Sequence, residues 1–125
     1  MQSIQLSLGQ VTRLTLIKEK IHNAFNAEMI HEIHSAFSQI SAYDKTRVVV
    51  LQATGRSFSA GADLNWMKRM IDYSEQENIL DSRNLYEMLK AIRDCPVPTI
   101  SRIQGSALGG GCGLIAATDM AFGIQ

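Results

Sequence analysis

Apolar and polar residues alternate along the first seventeen positions of the chain, and the spacing then becomes helical. Residues 2–8 and 11–17 both alternate, with Gly9-Gln10 between them, which predicts a β-hairpin. Asn26 is a residue type that caps helices, and apolar residues recur every three or four positions after it. These apolar residues are Met29, Ile30, Ile33, Phe37 and Ile40. The chain is therefore predicted to open with a hairpin followed by an amphipathic helix.

The remainder of the chain alternates between strand-like and helix-like segments. Val48-Val49-Val50-Leu51 is a continuous apolar run, which is typical of a strand buried on both faces. Pro96 and Pro98 end a long helix, because proline cannot continue the backbone ladder. The predicted elements are a strand over 47–53, a short helix over 63–72, a helix over about 75–94, a strand over 98–104, a helix over 110–118 and a strand from Asp119. This order predicts an α/β domain with right-handed crossovers.

Three consecutive glycines, Gly109 to Gly111, separate a predicted strand from a predicted helix within the run 104–113. Glycine lets the backbone approach a ligand closely, and a helix that begins there directs free N–H groups outward. The positive end of the helix dipole lies behind those groups. The run is therefore predicted to stabilise an anion, either a phosphate or the oxyanion of a carbonyl under attack.

A second run of small residues, Gly55 to Leu64, follows the strand predicted over 47–53. It also leads from a strand to a helix start, with Asp63 as the predicted cap. Nucleotide-binding loops are excluded, because no G-x-G-x-x-G follows the first strand and no Lys-Ser/Thr follows the glycines. The pair of loops therefore favours two backbone amides directed at one oxyanion.

Together with Lys20-Ile21-His22-Asn23-Ala24, these two motifs resemble the enoyl-CoA hydratase/isomerase (crotonase) superfamily. Within it, the stretches 63–67 and 112–115 are most similar to the bacterial methylglutaconyl-CoA hydratase type. The resemblance implies a crotonase-like (ClpP/crotonase) ββα spiral and an enzyme that stabilises a thioester enolate. Members of the family are longer, so residues 1–125 are expected to be the N-terminal portion of one spiral domain, without its C-terminal half.

The resemblance also implies which residues form the site. The backbone amides of Ala60 and Gly110 match the family's oxyanion-hole donors. The residues that match substrate-binding positions are Lys20, Ile21, Ser59, Ala60, Gly61, Ala62, Asp63, Leu64 and Gly110. Lys20 is read either as a phosphate contact or as a solvated lysine beside Glu19. No cofactor is expected, since coenzyme A belongs to the substrate.

Gly113 departs from the family pattern. Hydratases of the two-glutamate type carry a glutamate at this position, and it helps to position and deprotonate the attacking water. Glycine has no side chain for this task, and the second glutamate would fall beyond Gln125. Three functions therefore stay open: a hydratase of a branched or carboxylated 2-enoyl-CoA, a double-bond isomerase that works with one carboxylate, and a non-catalytic coenzyme A-binding or assembly fragment.

Composition and charge limit the classes of partner that the chain is expected to have. The formal net charge is zero, and neither a basic patch nor a long apolar run is present, so nucleic acid and membrane are not expected. The start of the chain lacks a signal peptide's pattern and there are two cysteines, which favours the cytoplasm. The resemblance implies a homo-oligomer, a trimer or a dimer of trimers. The 125-residue chain alone is expected to self-associate through the strand from Asp119 and the helix over 75–94, without hydratase activity.

Four further side chains are of types that can bind metal, react as thiols or line a pocket. His31 and His34 are three residues apart with no third ligand evident, so a solvated helix face is favoured over a metal site. Cys112 is expected to be a small buried thiol. Trp66 is expected either in the core or in the wall of the acyl pocket.

Overall fold

Seven strands, four α-helices and one short 3-10 turn make up residues 2–123, the part of the chain that the computed structural model describes. The strands are β1 (Ile4–Ser7), β2 (Val11–Leu16), β3 (Val48–Ala53), β4 (Ser57–Ser59), β5 (Thr99–Ile103), β6 (Ser106–Ala107) and β7 (Met120–Gly123). The helices are α1 (Ala27–Ala42), α2 (Leu64–Met70), α3 (Glu75–Arg93) and α4 (Gly110–Ala117), and the 3-10 turn is Glu19–Ile21. Each predicted element is confirmed, with shifts of a few residues at its ends.

Five of the strands form one sheet in the order β1-β2-β3-β5-β7. β1 and β2 are antiparallel, which confirms the hairpin, and each later neighbour in the sheet is parallel. Strands β4 and β6 form a separate parallel pair. Parallel neighbours need a long crossover between them, and α1 and α3 lie in two of these crossovers.

One face of the large sheet carries the core. Val49 and Leu51 of β3 are fully buried among residues from α1 and α3, while Val48 and Val50 are half-buried. The prediction that this strand is buried on both faces was therefore wrong for the described residues. Burial alternates along β3 because the helices cover a single face of the sheet.

The helices begin at side chains that satisfy their free amides. Asn26 accepts the N–H of Met29 at 2.9 Å, and Asp63 accepts the N–H of Trp66 at 3.0 Å. Ser74 and Glu77 form a reciprocal capping box at the start of α3. A helix cap of this kind contributes about 1 kcal/mol. Both predicted caps, Asn26 and Asp63, are confirmed.

Several apolar side chains stay exposed on this part of the chain. Met120 and Phe122 on the edge strand β7 are 47% and 58% exposed. On α3, Ile79, Leu80 and Tyr86 are each more than half exposed. Within residues 2–123, no helix is long and apolar enough to cross a membrane. The expected self-association through β7 and α3 stays a prediction.

Candidate active site

The two glycine-containing motifs lie side by side. Strands β4 and β6, one from each motif, pair in parallel with Ser59 opposite Ala107. The N–H of Leu108 donates to the carbonyl oxygen of Ser59 at 2.9 Å. The sequence predicted that both loops serve one site, and the structure brings them into contact.

Glycine is required at this contact for a steric reason. Gly61 has a φ of +85°, and a Cβ on it would lie 2.8 Å from the carbonyl oxygen of Leu108. A Cβ on Gly110 would lie 2.8 Å from the ring of Phe25. Because real Cβ atoms do not approach other atoms this closely, Gly61 must lack one for the two loops to pack, and Gly110 must lack one for α4 to begin against Phe25.

Within residues 2–123, the backbone N–H of Gly110 is a free donor at the site. Gly110 is the first residue of α4, where amides have no partner within the helix. The next two amides are occupied, because Gly111 donates to Leu108 and Cys112 donates to Gly109. The Gly110 N–H makes no hydrogen bond to any of the described residues.

The backbone N–H of Ala60, in contrast, is already engaged. It donates to the carbonyl oxygen of His22 at 2.9 Å. His22 and Asn23 have φ values of 54° and 53°, and this left-handed turn directs the His22 carbonyl at the second motif. The sequence did not predict this hydrogen bond, which must be exchanged if Ala60 is to serve as an oxyanion donor.

The side chain of Asn23 connects this turn to the segment 54–57 by hydrogen bonds. Its side chain is fully buried, and Nδ2 donates to the carbonyl oxygens of Thr54 and Ser57 at 2.9 and 3.1 Å. Ser59 Oγ donates to the Asn23 carbonyl at 3.0 Å. The sequence motif 20–24 contains Asn23, but the motif alone predicts no role for its side chain. Asparagine tolerates the left-handed region, and that tolerance was the available signal.

A groove of about 560 Å³ opens beside Ala60. The predicted substrate-binding residues that line it are Ile21, Ala60, Ala62, Asp63 and Leu64. Lys20 lies in a neighbouring groove that shares Ile21. Ser59 is fully buried and accepts the Gly61 N–H at 3.2 Å, so it supports the loop instead of facing the groove.

A second cavity, of about 200 Å³, lies between α1, α2 and α3. Trp66 is 5% exposed, belongs to the core cluster and lines this cavity together with His31 and His34. Within residues 2–123, no three His, Cys, Asp or Glu side chains are placed to hold a metal ion. Met67, on the other face of α2, lines the groove beside Ala60.

No general base is evident at Gly113. A Cβ at this position would lie 3.9 Å from the side chain of Leu89, so the position faces α3. Asp63 supplies the carboxylate in the groove, and one of its oxygens caps α2. Asp119 accepts the Thr99 N–H at 2.8 Å, so it links the segment that follows α4 to the start of β5. The predicted cap role of Asp63 is confirmed, and its match to a substrate-binding position stays a prediction.

The two cysteines differ in environment. Cys112 is exposed, so the expectation of a buried thiol was wrong; it lies on the outer side of α4, where its Sγ donates to the Ala107 carbonyl at 3.2 Å. Burial raises the pKa of the Cys95 thiol above its ordinary value. A backbone hydrogen bond from Val97 lowers this pKa, and the nearby charge of Asp119 raises it.

We therefore predict that iodoacetamide labels Cys112 before Cys95 at neutral pH. Only the thiolate reacts, and the raised pKa of Cys95 keeps its thiolate fraction low until the pH rises further. Mass spectrometry of a labelling time course measures both sites. Faster labelling at Cys95 would show that its surroundings are open to solvent.

Known proteins with this fold and sequence identify the family. A family model described as enoyl-CoA hydratase/isomerase matches residues 8–123. The crystal structure of an enoyl-CoA hydratase from Shewanella pealeana has a TM-score of 0.95 and 33% identity, over 98% of this chain and 46% of its own. A mitochondrial Delta(3,5)-Delta(2,4)-dienoyl-CoA isomerase of Dictyostelium discoideum is 30% identical over 88% of this chain and 40% of its own length.

The match extends to an enoyl-CoA isomerase/hydratase of Mycosarcoma maydis, which is 44% identical over 63% of this chain and 28% of its own length. The chain spans about half the length, or less, of the curated relatives that it matches. The crotonase fold predicted from the two motifs is confirmed. The chain belongs to the enoyl-CoA hydratase/isomerase family.

Proposed function

We propose that this chain supplies the oxyanion hole and part of the coenzyme A groove of an enzyme that acts on 2-enoyl-CoA thioesters. The observation that carries the proposal is the unpartnered N–H of Gly110 at the start of α4, held against the loop that contains Gly61. A free amide at a helix start is suited to an oxygen that gains negative charge.

The chemistry requires such a donor. When water adds to the acyl chain, or a proton leaves it, electrons move onto the thioester oxygen and form an enolate. A preplaced N–H donor on that oxygen lowers the barrier by about 3 kcal/mol. Backbone donors carry no titrating group, so this part of the rate is expected to be independent of pH.

The Ala60 amide is proposed as the second donor. To act, it must exchange its present acceptor for the thioester oxygen. Its present acceptor is the neutral carbonyl oxygen of His22. A hydrogen bond between neutral groups contributes about 1 kcal/mol net, whereas one to a charged group contributes about 1.5–3 kcal/mol. A neutral thioester carbonyl therefore gains little by displacing His22, and a developing enolate gains more. The exchange would favour the transition state over the bound substrate.

Hydration is the first candidate reaction and double-bond isomerisation is the second. Hydration is supported by the likeness to an enoyl-CoA hydratase over nearly the whole chain. Isomerisation is supported by Gly113, which cannot activate water, and by the likeness to an isomerase. The stretch from Asp63 to Met67 supports a methylglutaconyl-type acyl group. A non-catalytic coenzyme A-binding fragment is the third candidate.

The test is an assay of the native full-length protein with three thioesters: crotonyl-CoA, 3-methylglutaconyl-CoA and a 3-enoyl-CoA. Water addition to the first two supports hydration, and faster turnover of the second supports the methylglutaconyl type. Conversion of only the 3-enoyl-CoA supports the isomerase. Binding of coenzyme A without either reaction supports the third candidate. Absence of both binding and turnover would contradict the proposal.

A further inference from the structure

The geometry points to Phe25 as a positioning residue that sets the distance between the two oxyanion-hole loops, a role that rests on the proposed function. Phe25 lies between the left-handed turn and α1, and it is 2% exposed. It is not among the residues that line the groove beside Ala60. A side chain so deeply buried does not touch a substrate in the groove, so it acts on the reaction through the residues that it contacts.

The backbone of Phe25 is bound to the loop that follows Ala60. Its N–H donates to the carbonyl oxygen of Gly61 at 2.6 Å, and its own carbonyl oxygen accepts the N–H of Asp63, also at 2.6 Å. Phe25 thereby forms an isolated parallel bridge with Ala62, which lies between those two residues. These hydrogen bonds fix Phe25 to the segment that directly follows the proposed donor Ala60.

The ring of Phe25 reaches the other loop, at the first residue of α4. A Cβ built on Gly110 would lie 2.8 Å from Cε2 and 3.0 Å from Cδ2 of this ring, and 3.9 Å from the Cα of Gly61. The Cα of Gly110 therefore lies directly against one edge of the ring. Because the nitrogen of Gly110 is bonded to this Cα, the ring sets where the free N–H lies relative to the loop of Ala60.

The surroundings of the ring hold it in place. Phe25 belongs to the buried core cluster, which also contains residues of α1, α2 and the large sheet. Protein interiors are close-packed, and their side chains occupy defined rotamers. An oxyanion donor is most effective when it is placed in advance where the negative charge develops. A ring fixed in the core is therefore suited to keep the Gly110 N–H in its place before the substrate arrives.

The test compares Phe25→Ala with the native full-length protein in steady-state turnover of the thioester that the native protein converts fastest. We expect Phe25→Ala to lower kcat about tenfold, because a displaced donor loses part of its interaction with the enolate. KM is expected to stay unchanged, because the residues of the groove are untouched. Phe37→Ala is the matched control. It removes a ring on α1 that is 1% exposed, and it is expected to change neither constant.

Phe25→Leu is the milder variant, and it provides the test where Phe25→Ala does not fold. Leucine keeps a branched apolar side chain in the core but removes Cε2, the ring atom nearest to the Cβ position of Gly110. Its loss in kcat is expected to be smaller than that of Phe25→Ala, again with KM unchanged. Thermal unfolding curves identify an assay temperature at which each variant is folded.

Two double variants separate this role from a general loss of packing. In Gly110→Pro the donor is already absent, so adding Phe25→Leu is expected to lower kcat by a smaller factor than it does in the native protein. In Gly110→Ala the new Cβ lies against the ring, so adding Phe25→Leu is expected to recover part of the lost kcat. A purely structural role would give additive losses in both backgrounds.

The outcomes distinguish this role from the proposed function. If Gly110→Pro loses kcat while Phe25→Ala and Phe25→Leu keep the native value, the role of Phe25 is overturned and the proposed function stands. Additive losses in both double variants, or a raised KM with kcat unchanged, would also overturn it, because these patterns indicate disturbed packing or a disturbed groove. If the native protein turns over none of the three thioesters, the proposed enzyme function fails and the role of Phe25 fails with it.

Discussion

Replacement of Gly110 by proline is expected to lower kcat by about a hundredfold to a thousandfold, the typical cost of losing one oxyanion donor. Proline has no N–H, and the first position of a helix tolerates it otherwise. Because the interaction strengthens as the enolate forms, kcat and kcat/KM are expected to fall together. Steady-state turnover of a 2-enoyl-CoA by the native full-length protein and the variant measures the effect.

Gly110→Ala is the matched control. Its Cβ would make the same close contact with the Phe25 ring, at 2.8 Å, but the N–H stays. The ratio of the two variants therefore isolates the donor from the steric change. Equal turnover by the proline and alanine variants would remove Gly110 from the oxyanion hole.

Replacement of Gly61 by alanine is expected to separate the two loops and to destabilise the protein. Alanine at a φ of +85° is strained, and its Cβ would lie 2.8 Å from a backbone oxygen that cannot easily move. Gly109→Ala is the matched control, because Gly109 also has a positive φ, of +51°, but has open space around its Cβ position. Both variants carry a backbone cost of about 1–3 kcal/mol.

The difference in the free energy of unfolding between these two variants measures how much steric space the contact between the loops lacks. Gly61→Ala is expected to lower the free energy of unfolding by a further 1–3 kcal/mol or so relative to Gly109→Ala, the usual range for overpacking. Denaturant titrations of the native full-length protein and both variants give this difference. Equal losses would mean that the loops do not need the close approach at Gly61.

The sequence was sufficient to predict the order of the elements and the meeting of the two motifs. Hydrophobic spacing located α1 and α3, and Asn26 and Asp63 located two helix starts, because caps and periodicity are local signals. The neighbouring positions of the loops followed from two runs of small residues, each of which leads from a strand to a helix start. The steric need for Gly61 and Gly110 is visible only once Leu108 and Phe25 are in place.

Features set by distant parts of the chain were not predictable in the same way. The apolar run of β3 indicated burial on both faces, but the described helices cover only one. The exposure of Cys112 depends on which face of α4 packs inward, and that is decided by Leu114 and Gly111. The hydrogen bond from Ala60 to His22 depends on a left-handed turn that hydrophobic spacing does not report.

The most direct measurement is the amide resonance of Gly110 when a thioester binds. The native full-length protein is labelled with ¹⁵N-glycine, and Gly110→Ala identifies the peak by its loss. A saturated acyl-CoA is then compared with its thioether analogue, which has no carbonyl oxygen. The account predicts a downfield shift of the Gly110 amide proton with the thioester alone. A Gly110 peak that stays in place while both ligands bind, or that shifts equally with both, would contradict it.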